Sequence, residues 1–165
     1  MTERLDWIEK AGIENMKVHH TCADTLAKEA ATTLALLLVG MGGGMAYAAK
    51  AIDAHSWNWF AVGAAAFTIW LLALSWYLVT KCLMVEPIPQ IYNEPKNLND
   101  PPEDFDHMRE CELLSLQKRI DDSAARNGRL ASRLNLARRL AIASPAIFFI
   151  FSVAWLVIVR VFEVS

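Results

Sequence analysis

The chain has 165 residues, of which 55% are hydrophobic and 21% are charged, and its formal net charge is -2. A soluble domain carries about 45 to 50% apolar residues and about a quarter charged ones, so this composition excludes an ordinary soluble domain. The excess lies in three uncharged runs, Ala30–Ala49, Ser56–Thr80 and Leu140–Val159. Each run can form a helix that crosses a hydrocarbon core of about 30 Å, so the sequence predicts a membrane protein with three spans.

The first predicted element is an amphipathic helix over residues 1–29. Leu5, Ile8, Met16 and Leu26 form its apolar stripe, and no helix breaker precedes the first span. We therefore expect this helix to continue into the membrane. The hydrophilic segment before the run also argues against a cleaved signal peptide.

Residues 30–82 are predicted to form a transmembrane helical hairpin with a short connection between Lys50 and His55. Gly40 and Gly44 have the spacing that lets membrane helices approach closely, either within the chain or between subunits. Small and hydroxyl side chains on this span are the candidates for span packing or for a pore lining: Thr32, Thr33, Gly40 and Gly44. Ser144 and Ser152 in the third span are the alternative lining.

Residues 83–139 are predicted to form a proline-rich arm, Glu86–Pro102, and then a long amphipathic helix. Apolar positions three or four residues apart mark the seam of this helix: Leu113, Leu116, Ile120, Ala124, Asn127, Ala131 and Leu134. The seam needs a partner, which is either the N-terminal helix of the same chain or the same helix of another subunit. Asn127 is the kind of polar seam residue that fixes register.

Residues 140–165 are predicted to form the third span and a short outer tail. Pro145 lies early in this span. Proline either kinks a helix or starts a new one, and here we favour a kinked continuous helix because a start at Pro145 leaves only a short uncharged segment.

The basic residues predict the orientation. The N-terminal segment carries four of them and the segment from Lys81 to Arg139 carries ten, whereas only Lys50 and Arg160 lie on the opposite side of the bilayer. The positive-inside rule therefore places the N-terminus and the large loop in the cytoplasm and the C-terminus outside the inner (plasma) membrane. The odd number of cysteines, three, argues against a disulfide framework.

No catalytic motif is present, and the spans contain no aspartate, glutamate, lysine, arginine or histidine. Two sequence-local groups, His19-His20-Cys22 and His107 with Cys111, invite a metal hypothesis, but neither shows a full set of ligands. The sequence therefore favours neither an enzyme nor an ion-coupled transporter, and it predicts no cofactor and no metal.

The membrane-proximal half of the long helix is strongly basic. Arg119, Arg126, Arg129 and Arg133 recur at helical spacings, and in a symmetric oligomer they would form rings. Arginine forks match phosphate oxygens, so this basic face is the candidate site for a nucleotide or oligonucleotide ligand. The alternative is that these arginines only orient the chain and contact anionic lipid.

The order of elements, a cytoplasmic N-terminal helix, a glycine-rich hairpin, a cytoplasmic helix and a last span, resembles the small multi-span membrane effectors of bacterial anti-phage defence. The nearest group is the Hailong-type channel effectors. The resemblance implies an oligomeric pore controlled by a nucleotide-derived ligand on the cytoplasmic side. A holin-like lysis protein and a non-conducting membrane scaffold are the alternatives, although the predicted orientation is opposite to that of the usual three-span holin.

Taken together, these features predict an all-α protein. Three transmembrane helices are joined to a cytoplasmic helical domain, which is formed by the N-terminal helix and the long helix between spans two and three. One small chain can hardly bury all of its apolar surface, so we expect a homo-oligomer in the lipid bilayer.

Overall fold

The computed structural model of the chain describes residues 2–54, 57–84, 87–93 and 105–163. Within these ranges the regular secondary structure is entirely helical, with no strand. Helix α1 covers Thr2–Asp53, α2 covers Trp59–Leu78 and continues as a π-helical turn at Val79–Leu83, α3 covers Phe105–Ile142, and α4 covers Ser144–Glu163. The predicted all-α fold class is confirmed.

Three helical segments are long and apolar enough to cross a membrane: Glu3–Asp53, Trp59–Leu83 and Ser144–Phe162. The prediction of three candidate spans is thus confirmed. Helix α1 is unbroken from the polar N-terminal segment through the first apolar run, as the lack of a breaker predicted. Asn58 caps α2, because its side-chain oxygen accepts a hydrogen bond from the Ala61 backbone N–H at 2.8 Å.

The chain divides into two compact units, which are described separately below. The polar unit comprises Met1–Ala27 and Val85–Ala131, and the apolar unit comprises Lys28–Met84 and Ser132–Ser165. Two helices, α1 and α3, each contribute residues to both units.

In the polar unit, the first part of α1 and the first part of α3 pack as a parallel pair. Met16 is fully buried and forms a small core with Leu116 and Ile120. Ile91, in the described part of the arm, packs against this core, and residues 87–93 form neither helix nor strand. The rest of the predicted extended arm, residue 86 and residues 94–102, lies outside the described residues.

The seam of α3 differs from its prediction at one position. Leu116, Ile120, Asn127 and Leu134 are buried as expected, but Ala124 is exposed and Ser123 is buried in its place. The seam follows a strict alternation of three- and four-residue steps here, and the small polar Ser123 fits against the Met16 sulfur, to which its hydroxyl donates at 3.6 Å. Hydropathy alone predicted that Ala124 is buried in the seam, and this prediction was wrong.

The preference for one kinked helix at Pro145 was also wrong. Helix α3 ends at Ile142, and α4 starts anew at Ser144, with Ala143 between them. Proline has no N–H to donate and its ring clashes with the carbonyl four residues earlier, so it favours the first turn of a new helix over the interior of an old one.

Candidate functional site

The contacts of the polar unit fix the register of its two helices. Asn127 donates from its side-chain nitrogen to the His19 carbonyl oxygen at 2.8 Å. A Cβ atom on Gly12 would lie 2.8 Å from a Leu116 methyl group, so α1 lies very close to α3 at this point. Of the two partners considered for the seam, the structure of the single chain pairs it with its own N-terminal helix.

Arg109 joins the beginnings of these two helices. Its guanidinium donates to Asp6 at 2.5 Å and to Glu9 at 2.8 Å. The hydrogen bond that Arg109 donates to Asp6, followed by the one that it donates to Glu9, raises the pKa of Arg109 above its ordinary value. Sequence reasoning missed this clamp, although two acids three residues apart on the first helix were a visible signal.

Beside this clamp the polar unit contains an open cavity of about 450 Å³. Its walls are mostly apolar and include the aromatic rings of Tyr92 and Phe105, whereas its charged lining consists of Asp6, Glu9, Arg109 and Glu112. Three carboxylates stand against one guanidinium, which is itself engaged by two of them. This charge balance disfavours a phosphate ligand in the cavity.

The structure gives the four predicted arginines different surroundings. Arg119 is largely buried and donates to Glu112 at 2.5 Å and to the Ser115 hydroxyl at 2.8 Å, so its guanidinium is already engaged. Arg126 is half-buried and Arg129 is exposed. These three residues belong to the polar unit, whereas Arg133 belongs to the apolar unit.

Arg133 donates to the Lys81 carbonyl oxygen at 3.1 Å and thereby caps the π-helical turn that ends the second apolar helix. A guanidinium has five N–H donors, so the bond to the Lys81 carbonyl leaves other donors of Arg133 for a ligand. Arg129, which is exposed and forms no ion pair with another described residue, is the member of the basic face most open to an incoming anion.

The metal hypothesis gains one contact. The Cys111 sulfur lies 3.8 Å from the His107 Nε2 one helical turn earlier. Among the described residues, however, no group of three or more histidine, cysteine, aspartate or glutamate side chains converges.

In the apolar unit, three glycines are sites of close helix contact. A Cβ on Gly40 would lie 3.0 Å from a Leu71 methyl group, and one on Gly44 would lie 2.2 Å from the Thr68 hydroxyl oxygen. Gly40 and Gly44 thus pack span one on span two of the same chain. The third site is Gly63, whose Cβ would lie 2.1 Å from the Ser152 hydroxyl oxygen of α4.

The two threonines of the predicted lining differ in exposure. Thr32 is exposed, and its hydroxyl donates to the Lys28 carbonyl at 2.9 Å. Thr33 is buried, donates to the Glu29 carbonyl at 2.8 Å, and accepts a hydrogen bond from Arg138 at 3.2 Å. Arg138 also forms an ion pair with the Glu29 carboxylate, a contact that the sequence analysis did not single out.

The alternative lining residues are buried inside the chain, since Ser144 is 3% and Ser152 is 1% exposed. Of the four hydroxyl side chains considered for a lining, Thr32 is therefore the one that faces away from the chain's own helices. Comparison of the sequence and structure with known families, curated proteins and solved structures finds no match. The resemblance to the anti-phage effectors accordingly stays a prediction.

Proposed function

We propose that the chain assembles as a homo-oligomeric ion channel or pore in the inner membrane, with its N-terminus and polar unit in the cytoplasm. The proposal assigns it an effector role like that of the anti-phage proteins that its layout resembles, and not an enzymatic role. The length and composition of the three apolar helices support the proposal that the chain lies in a membrane.

The observation that carries the oligomer is a face of small residues on α1. Ala35, Gly42, Ala46 and Ala49 are all exposed, and their spacing places them along one side of the helix, which also carries the exposed Val39. A Cβ on Gly42 would meet no atom within 4 Å, in contrast to Gly40 and Gly44. Packing within one chain therefore does not account for Gly42, whereas close packing against a helix of a second copy does.

A nucleotide or oligonucleotide is proposed as the ligand that controls the assembly. Its support is the basic composition of α3 and the exposure of Arg129. Arg119 contributes less than the sequence suggested, because a phosphate must displace Glu112 from it. We therefore assign the ligand contacts within the polar unit chiefly to Arg129, with Arg126 three residues before it.

The oligomer is tested by native mass spectrometry in a mild detergent. The wild-type chain should give a mass above that of the 18.5 kDa monomer. Gly42→Leu should shift the population to smaller species, and Gly43→Ala, a small change at an equally open position, should not. A monomeric wild-type chain would contradict the proposal.

Conduction and ligand control are tested with purified protein in planar bilayers. Current that changes on addition of labelled cyclic or linear oligonucleotides would support a gated channel. Binding should weaken steeply with salt, because phosphate contacts release counterions, and Arg129→Glu should weaken it more than Lys10→Glu on the other polar-unit helix. No current and no binding at low salt would favour the non-conducting scaffold.

A further inference from the structure

One end of the apolar unit is held together by two arginines of α3. Arg138 reaches α1, where it donates to the Thr33 hydroxyl oxygen at 3.2 Å and pairs with the Glu29 carboxylate. Arg133 reaches the π-helical turn that follows α2, where it donates to the Lys81 carbonyl oxygen at 3.1 Å. Five residues of helix, about 7.5 Å, separate the two arginines. These contacts therefore bring three helices together over a short distance.

This end of the unit is also where the apolar part of each helix begins or ends. The three uncharged runs start at Ala30, end at Thr80 and start at Leu140. The basic side chains at this end therefore lie at the margin of the apolar surface and not within it. We call them the basic rim, which consists of Lys28, Lys81, Arg133, Arg138 and Arg139.

The basic rim carries more positive charge than the chain itself neutralises. Its five basic residues have one acid beside them, Glu29, because the other two acids of the apolar unit are the last residues of α1 and α4. Lys28, Lys81 and Arg139 are exposed, and none of them forms an ion pair with a residue whose position the structure describes. An excess of four positive charges is thus left for an anionic partner.

Two members of the basic rim are positioned in advance for a phosphate. The contacts of Arg138 with α1 and of Arg133 with the Lys81 carbonyl hold both guanidinium groups in place. A guanidinium has five N–H donors, and neither arginine uses all of them in these contacts. Arginine forks match phosphate oxygens, and a side chain that is already held loses little conformational freedom when a ligand binds.

Exposed apolar side chains continue from the basic rim along two helices. On α3, Ile142 lies three residues after Arg139 on the same face and is 81% exposed. On α1, Leu36 lies about two turns after Lys28 and is 70% exposed. A phospholipid has the same order of chemistry, with a phosphate at the edge of the hydrocarbon core and acyl chains inside it. A nucleotide or a free phosphate would leave this apolar surface uncovered.

We propose that the basic rim binds the phosphate of an anionic phospholipid, whose acyl chains cover the apolar faces that carry Ile142 and Leu36. The excess positive charge favours an anionic lipid over a zwitterionic one, because it repels the ammonium group of a zwitterionic headgroup. In the proposed orientation the basic rim meets the cytoplasmic leaflet, which is the leaflet with a negative surface potential. The inference rests on the proposed membrane location of the apolar unit, and it requires neither a pore nor a nucleotide.

Native mass spectrometry in a mild detergent tests the lipid site. Anionic phosphatidylglycerol and zwitterionic phosphatidylcholine, with identical acyl chains, are titrated into the purified protein. The wild-type chain should bind phosphatidylglycerol with an affinity at least about tenfold higher. Lys81→Gln and Arg139→Gln should each lower this affinity about fivefold, which corresponds to the contribution of about 1 kcal/mol that one basic residue makes near an anionic surface.

Lys50→Gln is the matched control, because it removes one positive charge near the other end of α1. It should change the affinity for phosphatidylglycerol less than about twofold. All three replaced side chains are exposed, so each variant should keep the helical circular dichroism signal of the wild type. Glycerol phosphate, added at constant ionic strength, should not displace the lipid, because it cannot cover the apolar surface.

Equal affinities for the two lipids, or a Lys50→Gln effect as large as the other two, would overturn the lipid site. Displacement by glycerol phosphate would assign the basic rim to a soluble anion and would also overturn the inference. Flotation with phosphatidylcholine vesicles tests the membrane location separately. A chain that floats but shows no lipid preference would retain the membrane location and reject the lipid site, whereas a chain that does not float would reject both.

Discussion

Gly63 offers the most direct test of how the apolar helices pack. A Cβ at this position would lie 2.1 Å from the Ser152 hydroxyl oxygen and 3.0 Å from the Phe148 carbonyl oxygen. The hydroxyl can rotate away, but the carbonyl belongs to the backbone of α4, so Gly63→Ala must push α2 and α4 apart. Overpacking of this kind costs about 1–3 kcal/mol.

Helix propensity works in the opposite direction, because alanine is favoured over glycine by up to about 1 kcal/mol in a helix interior. Gly43→Ala is the matched control, since its Cβ would meet no atom within 4 Å on a neighbouring apolar helix. Both substitutions gain the same propensity. The difference between their free energies of unfolding therefore isolates the cost of overpacking, and a difference of about 1–3 kcal/mol is a factor of about 5 to 150 in the unfolding equilibrium.

The assay is reversible unfolding in mixed detergent micelles, followed by the helical circular dichroism signal. Gly43→Ala should be as stable as the wild type or more stable, and Gly63→Ala should unfold at a lower denaturant fraction. Indistinguishable stabilities of the two variants would refute the close approach of α2 to α4 at Gly63.

Three further predictions concern the polar unit. Met16→Ala should lower the free energy of unfolding by about 2–5 kcal/mol, because it leaves a cavity at a fully buried position. Chemical denaturation measures this loss, and a loss below about 1 kcal/mol would contradict the described core. Arg109→Gln should lower the free energy of unfolding slightly at low salt, because Arg109 pairs with Asp6 and Glu9 near the surface, and this loss should shrink in 1 M salt. A loss that does not depend on salt would assign Arg109 a packing role instead. Asn127→Leu should leave the melting temperature unchanged or raise it, but it should loosen the register of the two helices. A disulfide between cysteines placed at positions 12 and 116 should then form in lower yield. An unchanged yield would mean that Asn127 does not set the register.

The sequence was informative where an element depends on local chemistry. Uncharged runs predicted the three apolar helices, and the absence of a breaker near Lys28 predicted the unbroken α1. The break at Pro145 was misjudged because the length of the uncharged run was given more weight than the loss of the proline N–H. Local chemistry was again the better guide.

Tertiary contacts account for what the sequence did not reveal. Ser123 and Ala124 differ little in size, and the choice between them depends on where Met16 lies in the partner helix. The pairing of Gly63 with Ser152 joins positions far apart in the chain, and no periodicity in either helix marks it. The engagement of Arg119 by Glu112 likewise distinguishes Arg119 from Arg129, a difference that helical spacing alone could not show.

The parallel pairing of α1 with α3 has a consequence for the order in which the protein matures. Met16 meets Ser123 across more than a hundred intervening residues, and Asp6 is equally far from Arg109. The ribosome makes the chain from its N-terminus, so the first helix emerges long before the segment that covers its apolar side. During that interval its exposed stripe is open to chaperones, to the bilayer surface or to neighbouring nascent chains. Closing such a distant pair is slow, and we therefore expect the polar unit to stay open to proteases until the segment up to Ala131 has been made.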